Sequence, residues 1–156
     1  MTLAEATISG VRAQFNVVLN DLRQALDGLE GEALNWRPVG DESSSIYMLV
    51  SHMMGMAGGM CAVARGEEPQ RDRAAEFAAF GTKSADLLKL IDDTQAKVEQ
   101  ALSSTTDEML ASKREFVGNE STGAGMLAVM IRHLGEHLGH VALTRQLWEQ
   151  LEAASG

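Results

Sequence analysis

Apolar positions recur along this chain at steps of three and four. The first run, Ile8, Val11, Phe15, Val18, Leu19, Leu22, Leu26 and Leu29, is the stripe of an amphipathic helix with one buried face. After LNWRPVGDESSS, whose serines can cap a helix start by accepting from its free N–H groups, residues 46–64 read as a second, very apolar helix that ends near Gly66. The stretch EEPQRDRAAEFAAFGTK gives no clear period and predicts at most a helical turn around Phe77 and Phe80. Leu87, Leu88, Ile91, Val98 and Leu102 mark a third helix, capped near Thr82 or Ser84. A polar connection, SSTTDEMLASKREFVGNESTGAG, leads to a last helix over about residues 125–151. No alternating strand pattern is visible. Four long amphipathic segments define an all-α class, and a four-helix bundle lets each apolar stripe face the others.

Length and charge narrow the picture. At 156 residues the expectation is one domain over residues 1–156. No run reaches the ~20 apolar residues of a membrane span, and the N-terminal MTLAEATISG lacks the basic flank and apolar block of a signal peptide, so a cytoplasmic location and no membrane partner are expected. The 22 acidic against 13 basic side chains leave a net charge of −9, a surface that repels phosphate backbones; nucleic acid is not an expected partner. The single cysteine, Cys61, rules out an internal disulfide and any multi-cysteine zinc site.

The candidate chemistry lies in the histidines. There are four, and three of them fall in RHLGEHLGH. At about 100° per residue His133, His137 and His140 share an arc of roughly 60°, in line with Met126, Met130, Thr144, Leu147 and Leu151, so the stripe points inward. On the second helix His52 keeps company with Met48, Leu49, Met56 and Val63 and points inward too. A lone histidine on such a stripe is usually a hydrogen-bonded core residue. Several without a shared partner would leave polar atoms unsatisfied, at about 1–3 kcal/mol each; a divalent metal takes all their lone pairs at once. His133 and His137, spaced i, i+4, can chelate one ion, and His52 from a facing helix completes a three-nitrogen site with an open position, the catalytic rather than the structural arrangement. His140 is a surplus nitrogen: fourth ligand, proton shuttle or, by preference, a group holding a ligand histidine from behind. With ordinary imidazole pKa values near 6.5, such a site would release its metal as pH falls below that region.

Three other features bear on the site. Glu136 falls on the charged face and reads as a solvated carboxylate. Cys61, nine residues after His52 and so about 180° around, faces away from the metal and reads as a packing residue. Gly55, Gly58 and Gly59 lower helix propensity, and two of them, Gly55 and Gly59, border His52, which suggests either room for a substrate or a close helix crossing.

The segments LNWRPVGDESSSIYMLVSHMMG and IRHLGEHLGHVALTRQLWEQL together resemble the DinB-like (YfiT-like) metal-binding four-helix bundles, in Trp36, Pro38, His52, His133, His137, Gly139 and His140. The resemblance spans nearly the whole chain. It implies a nickel- or zinc-type dication on His52, His133 and His137, often in a homodimer. It also implies thiol-dependent transfer or isomerisation of a small-molecule substrate with bacillithiol, mycothiol or glutathione. Many members carry Gln where this chain has His140. Two function classes follow: a metal-dependent thiol transferase, or a related isomerase or hydrolase, and a non-catalytic bundle that binds a metal or small ligand in a stress response.

Overall fold

A computed structural model describes residues 2–156. Its four long helices are α1 (Leu3–Leu26), α2 (Ile46–Arg65), α4 (Ser84–Ser103) and α6 (Gly123–Ser155); two short ones, α3 (Arg73–Phe77) and α5 (Asp107–Ala111), lie between them. Each long helix packs on two others. α2 and α1 both contact α4 and α6, so α1 lies diagonally across from α2 and α4 across from α6. The α2–α6 contact is the most extensive, and it brings the histidine-bearing helices together.

Local chemistry explains the helix ends. Thr2 and Glu5 form a reciprocal capping box on α1, Ser45 caps α2 by accepting from Met48 N–H, and Gly66 closes α2 with φ 82°, a left-handed conformation that glycine adopts without strain. Phe15, Leu19, Leu22, Ile46, Met53, Ile91 and Leu127 fill the core. Helix α2 is long and apolar enough by composition to resemble a membrane span, contrary to the sequence expectation, but 72% of its most apolar window is buried against the rest of the fold.

Several expectations are corrected. Strands do occur: β1 (Lys113–Phe116) pairs antiparallel with β2 (Asn119–Thr122), Phe116 opposite Asn119. The alternation was too short to register, and the two-residue turn carries Val117 at φ 52° and Gly118 at φ 73°, both positive as a type I′ turn requires, although a β-branched residue there is strained. The third long helix is preceded by Lys83, which makes no side-chain cap. The last runs two residues earlier and four later than expected, and Leu29 is buried but lies beyond the end of α1. The ambiguous stretch holds α3, with Phe77 as its last residue and Phe80 outside it.

Candidate metal centre

His52 is buried on the inner face of α2, and His133 and His137 are half-buried on the facing side of α6. One nitrogen of each lies within 4.8 Å of the others. His52 Nε2 and His133 Nε2 are 3.1 Å apart. Two nitrogens at about 2.0–2.1 Å from one tetrahedral ion are separated by about 3.3 Å, so this pair already has the spacing of co-ligands. Opposed ligands of one ion can be at most about 4.2 Å apart, a little less than the 4.8 Å that bounds the set.

The other nitrogen of His52 is held. His52 Nδ1–H donates to Glu76 Oε2 at 3.1 Å, both side chains being 9% exposed. Because the carboxylate needs a proton on Nδ1, the neutral ring keeps its lone pair on Nε2, aimed at His133. Arg71 grips the same carboxylate with two nitrogens, Nε on Oε1 at 2.9 Å and Nη2 on Oε2. This Arg71–Glu76–His52 relay is the part of the site that sequence reasoning missed. Its carboxylate sits on a five-residue helix whose period is unreadable. The legible signal was glycine: a Cβ at Gly55 would collide with the Glu76 carboxylate, and one at Gly59 would press on Arg71. Those two glycines admit protein side chains rather than substrate, while Gly58 faces open space.

Electrostatics favour neutral imidazoles. Burial pushes His133 down to about 4, with His137 and His52 adding to the effect. Burial lowers His137 as well, reinforced by His52 and His140. His52 is lowered by burial against the opposing pull of its Glu76 hydrogen bond, and Arg71 and Arg73 add to the lowering. The expectation of ordinary values near 6.5 is therefore corrected: protons compete for these lone pairs only at lower pH. Neutral imidazoles with convergent lone pairs and a fixed tautomer fit a divalent ion of the zinc or nickel type.

The remaining candidates divide. His140 does not point inward as expected; it is exposed, and its Nδ1 lies 3.3 Å from His137 Nδ1, outside the three-nitrogen cluster. Glu136 is solvent-facing and paired with Arg132 at 3.0 Å. Cys61 is 2% exposed, and burial pushes its thiol up to about 11. Trp36 is half-buried against Trp148 of α6, ring centroids 5.7 Å apart, which ties the Trp-x-Pro loop to the helix carrying His133 and His137.

A cavity of about 710 Å³ opens beside His52 and His133. Met56, Met60, Met126 and Val129 line it together with Phe116, Val117, Glu120 and Ser121 of the hairpin. Arg71, Arg73 and Arg132 complete it.

Residues 14–141 match the sequence profile of the DinB superfamily, and the chain belongs to that superfamily. Solved structures share the fold. A DinB-like protein from Bacillus cereus aligns with TM-score 0.74 at 16% identity, over 90% of this chain and 92% of that one. A DinB-like protein from Bacillus subtilis aligns with TM-score 0.69 at 20% identity, over 88% and 91%. A histidine-to-alanine mutant of mycothiol-dependent maleylpyruvate isomerase aligns with TM-score 0.69 at 14% identity, over 93% of this chain and 70% of that one. No curated protein matches the sequence.

Proposed function

We propose that this chain is a metal-dependent enzyme that transfers or isomerises a small molecule with the help of a low-molecular-weight thiol, and that His52, His133 and His137 are its metal ligands. The observation that carries the reading is the convergence of three imidazoles, two of which, His52 and His133, line a 710 Å³ cavity, with His52 locked in tautomer by a buried carboxylate. The structural likeness to a mycothiol-dependent isomerase supports the thiol. A bound zinc or nickel ion would supply Lewis acidity that lowers the pKa of a coordinated thiol toward neutrality.

The chain's own groups do the rest. Glu76 fixes the His52 ring and Arg71 fixes Glu76, so the site is set in advance rather than assembled on binding. His140 holds the His137 ring through its Nδ1. The methionine wall keeps water away from one side of the reacting groups and adapts to the shape of the bound molecule. Cys61, buried and with its thiol pushed up to about 11, takes no part, so the reacting sulfur comes from a cosubstrate such as bacillithiol, mycothiol or glutathione. Residues 1–156 act as one domain in this reading.

The test joins elemental analysis to a thiol panel. Purified protein should carry close to one zinc or nickel per chain, and one of the three thiols should be consumed with a chromogenic electrophile only in the metal-loaded form. Full metal occupancy with no turnover across the panel would favour a non-catalytic binding module instead.

A further inference from the structure

We propose that the cavity receives a small molecule bearing a carboxylate on an apolar body, with Arg73 and Arg132 as the clamp for the carboxylate. This names a substrate class for the site described above and rests on that reading. The charge balance of the wall is the first argument. In a chain with 22 acidic and 13 basic side chains, this cavity presents three arginines against the single carboxylate of Glu120. Arg71 is committed to Glu76. The other two are available.

Arg73 lies with its Cζ 4.8 Å above the Phe77 ring, and that ring is 4.7 Å from the ring of His52. Stacking holds the guanidinium in place by one face while its N–H edge stays free for a planar anion, and no carboxylate pairs with it among the described residues. Arg132 spends one nitrogen on Glu136, in a pair whose side chains are 67% and 50% exposed. Such a pair is weak and leaves most of the fork for a ligand. In the same lining, Met56, Met60, Met126 and Phe116 offer apolar surface for the body of the molecule.

The carboxylate can belong to the thiol or to its reaction partner, and calorimetric titration of two acid–alcohol pairs separates these sources. The probes are 3-phenylpropionate against 3-phenylpropan-1-ol, and 3-mercaptopropionate against 3-mercaptopropan-1-ol, each with zinc-loaded and EDTA-treated protein. At least one acid should bind about tenfold tighter than its alcohol in both forms, as charge-assisted hydrogen bonds allow. A gap in the phenyl pair assigns the carboxylate to the reaction partner, and a gap in the mercapto pair alone assigns it to the thiol. Arg73→Gln combined with Arg132→Gln should close the gap, whereas Arg12→Gln, remote and paired with Glu99, should leave it intact. Circular dichroism melts establish that each variant is folded. Equal binding of acid and alcohol would overturn the proposal. So would a gap that survives the double substitution, or one seen only with zinc, which would mean that the carboxylate ligates the metal. Failure of the wild type to bind zinc would end the metal reading, and the gap in EDTA-treated protein would still decide this one.

Discussion

The two helices that meet at the histidines hold them in opposite ways. On α2, His52 is buried, hydrogen-bonded to a buried carboxylate and backed by an arginine. On α6, His133 and His137 are half-buried, and the partner behind His137 is another imidazole, His140, open to solvent. One wall is a fixed reference and the other faces the entrance. On the proposed function such a site needs both: rigidity on one side would keep a metal, and exposure on the other would leave a position to exchange.

The largest effect should come from the ligands. His52→Ala and His133→Ala should each weaken zinc binding by more than the roughly 10–100-fold typical of losing an outer partner. Competition with a chromophoric chelator measures it, and near-equal affinity in His52→Ala would move the site onto α6 alone. Next comes the relay. Glu76→Gln should weaken zinc binding by about 10–100-fold, and Gly55→Ala, by displacing the same carboxylate, should reproduce that loss. A wild-type affinity in both would show that the fixed wall does not matter to the metal.

Acid should act more mildly. His52, His133 and His137 have folded values below the ordinary 6.5, about 4 for His133, so between those limits the unfolded metal-free chain binds more protons than the folded one. Stability is fully present above about pH 6.5 and falls as pH drops toward 4. Urea midpoints of EDTA-treated protein at pH 7.5 and 5 should show that fall, and His133→Leu should show less of it. His140→Gln should change zinc affinity less than about threefold, because the ring is exposed and one of its roles is within reach of glutamine. The smallest change in metal content is expected for Cys61→Ser, which places a hydroxyl in the core and costs about 1–3 kcal/mol of stability while leaving the site intact. Loss of metal there would contradict the placement of Cys61.

Much of this was legible in the chain because periodicity reports faces. The stripe through His133 and His137, the phasing of Cys61 away from His52 and the order of the four long helices all follow from 3.6 residues per turn. What escaped reading lay where period carries no information. The hairpin at Lys113–Thr122 is eight residues of strand joined by a two-residue turn, too short for alternation to stand out. Glu76 belongs to one turn of helix, and its partner His52 is 24 positions away, so only the fold could join them. His140 missed the interior because a stripe defines an arc, whereas burial depends on where the neighbouring helix stops covering it.

That Glu76 stands on a five-residue helix has a thermodynamic consequence. One helical turn has no stability of its own, so α3 stays formed by resting on α2, through Glu76 on His52 and through Phe77 against the same imidazole. If His52 is a ligand as proposed, its grip on an ion and the docking of the segment between α2 and α4 are two faces of one equilibrium, and linkage makes the coupling reciprocal. Occupancy of the metal should slow amide exchange across residues 71–80, and anything that draws this segment off α2 should speed dissociation of the ion.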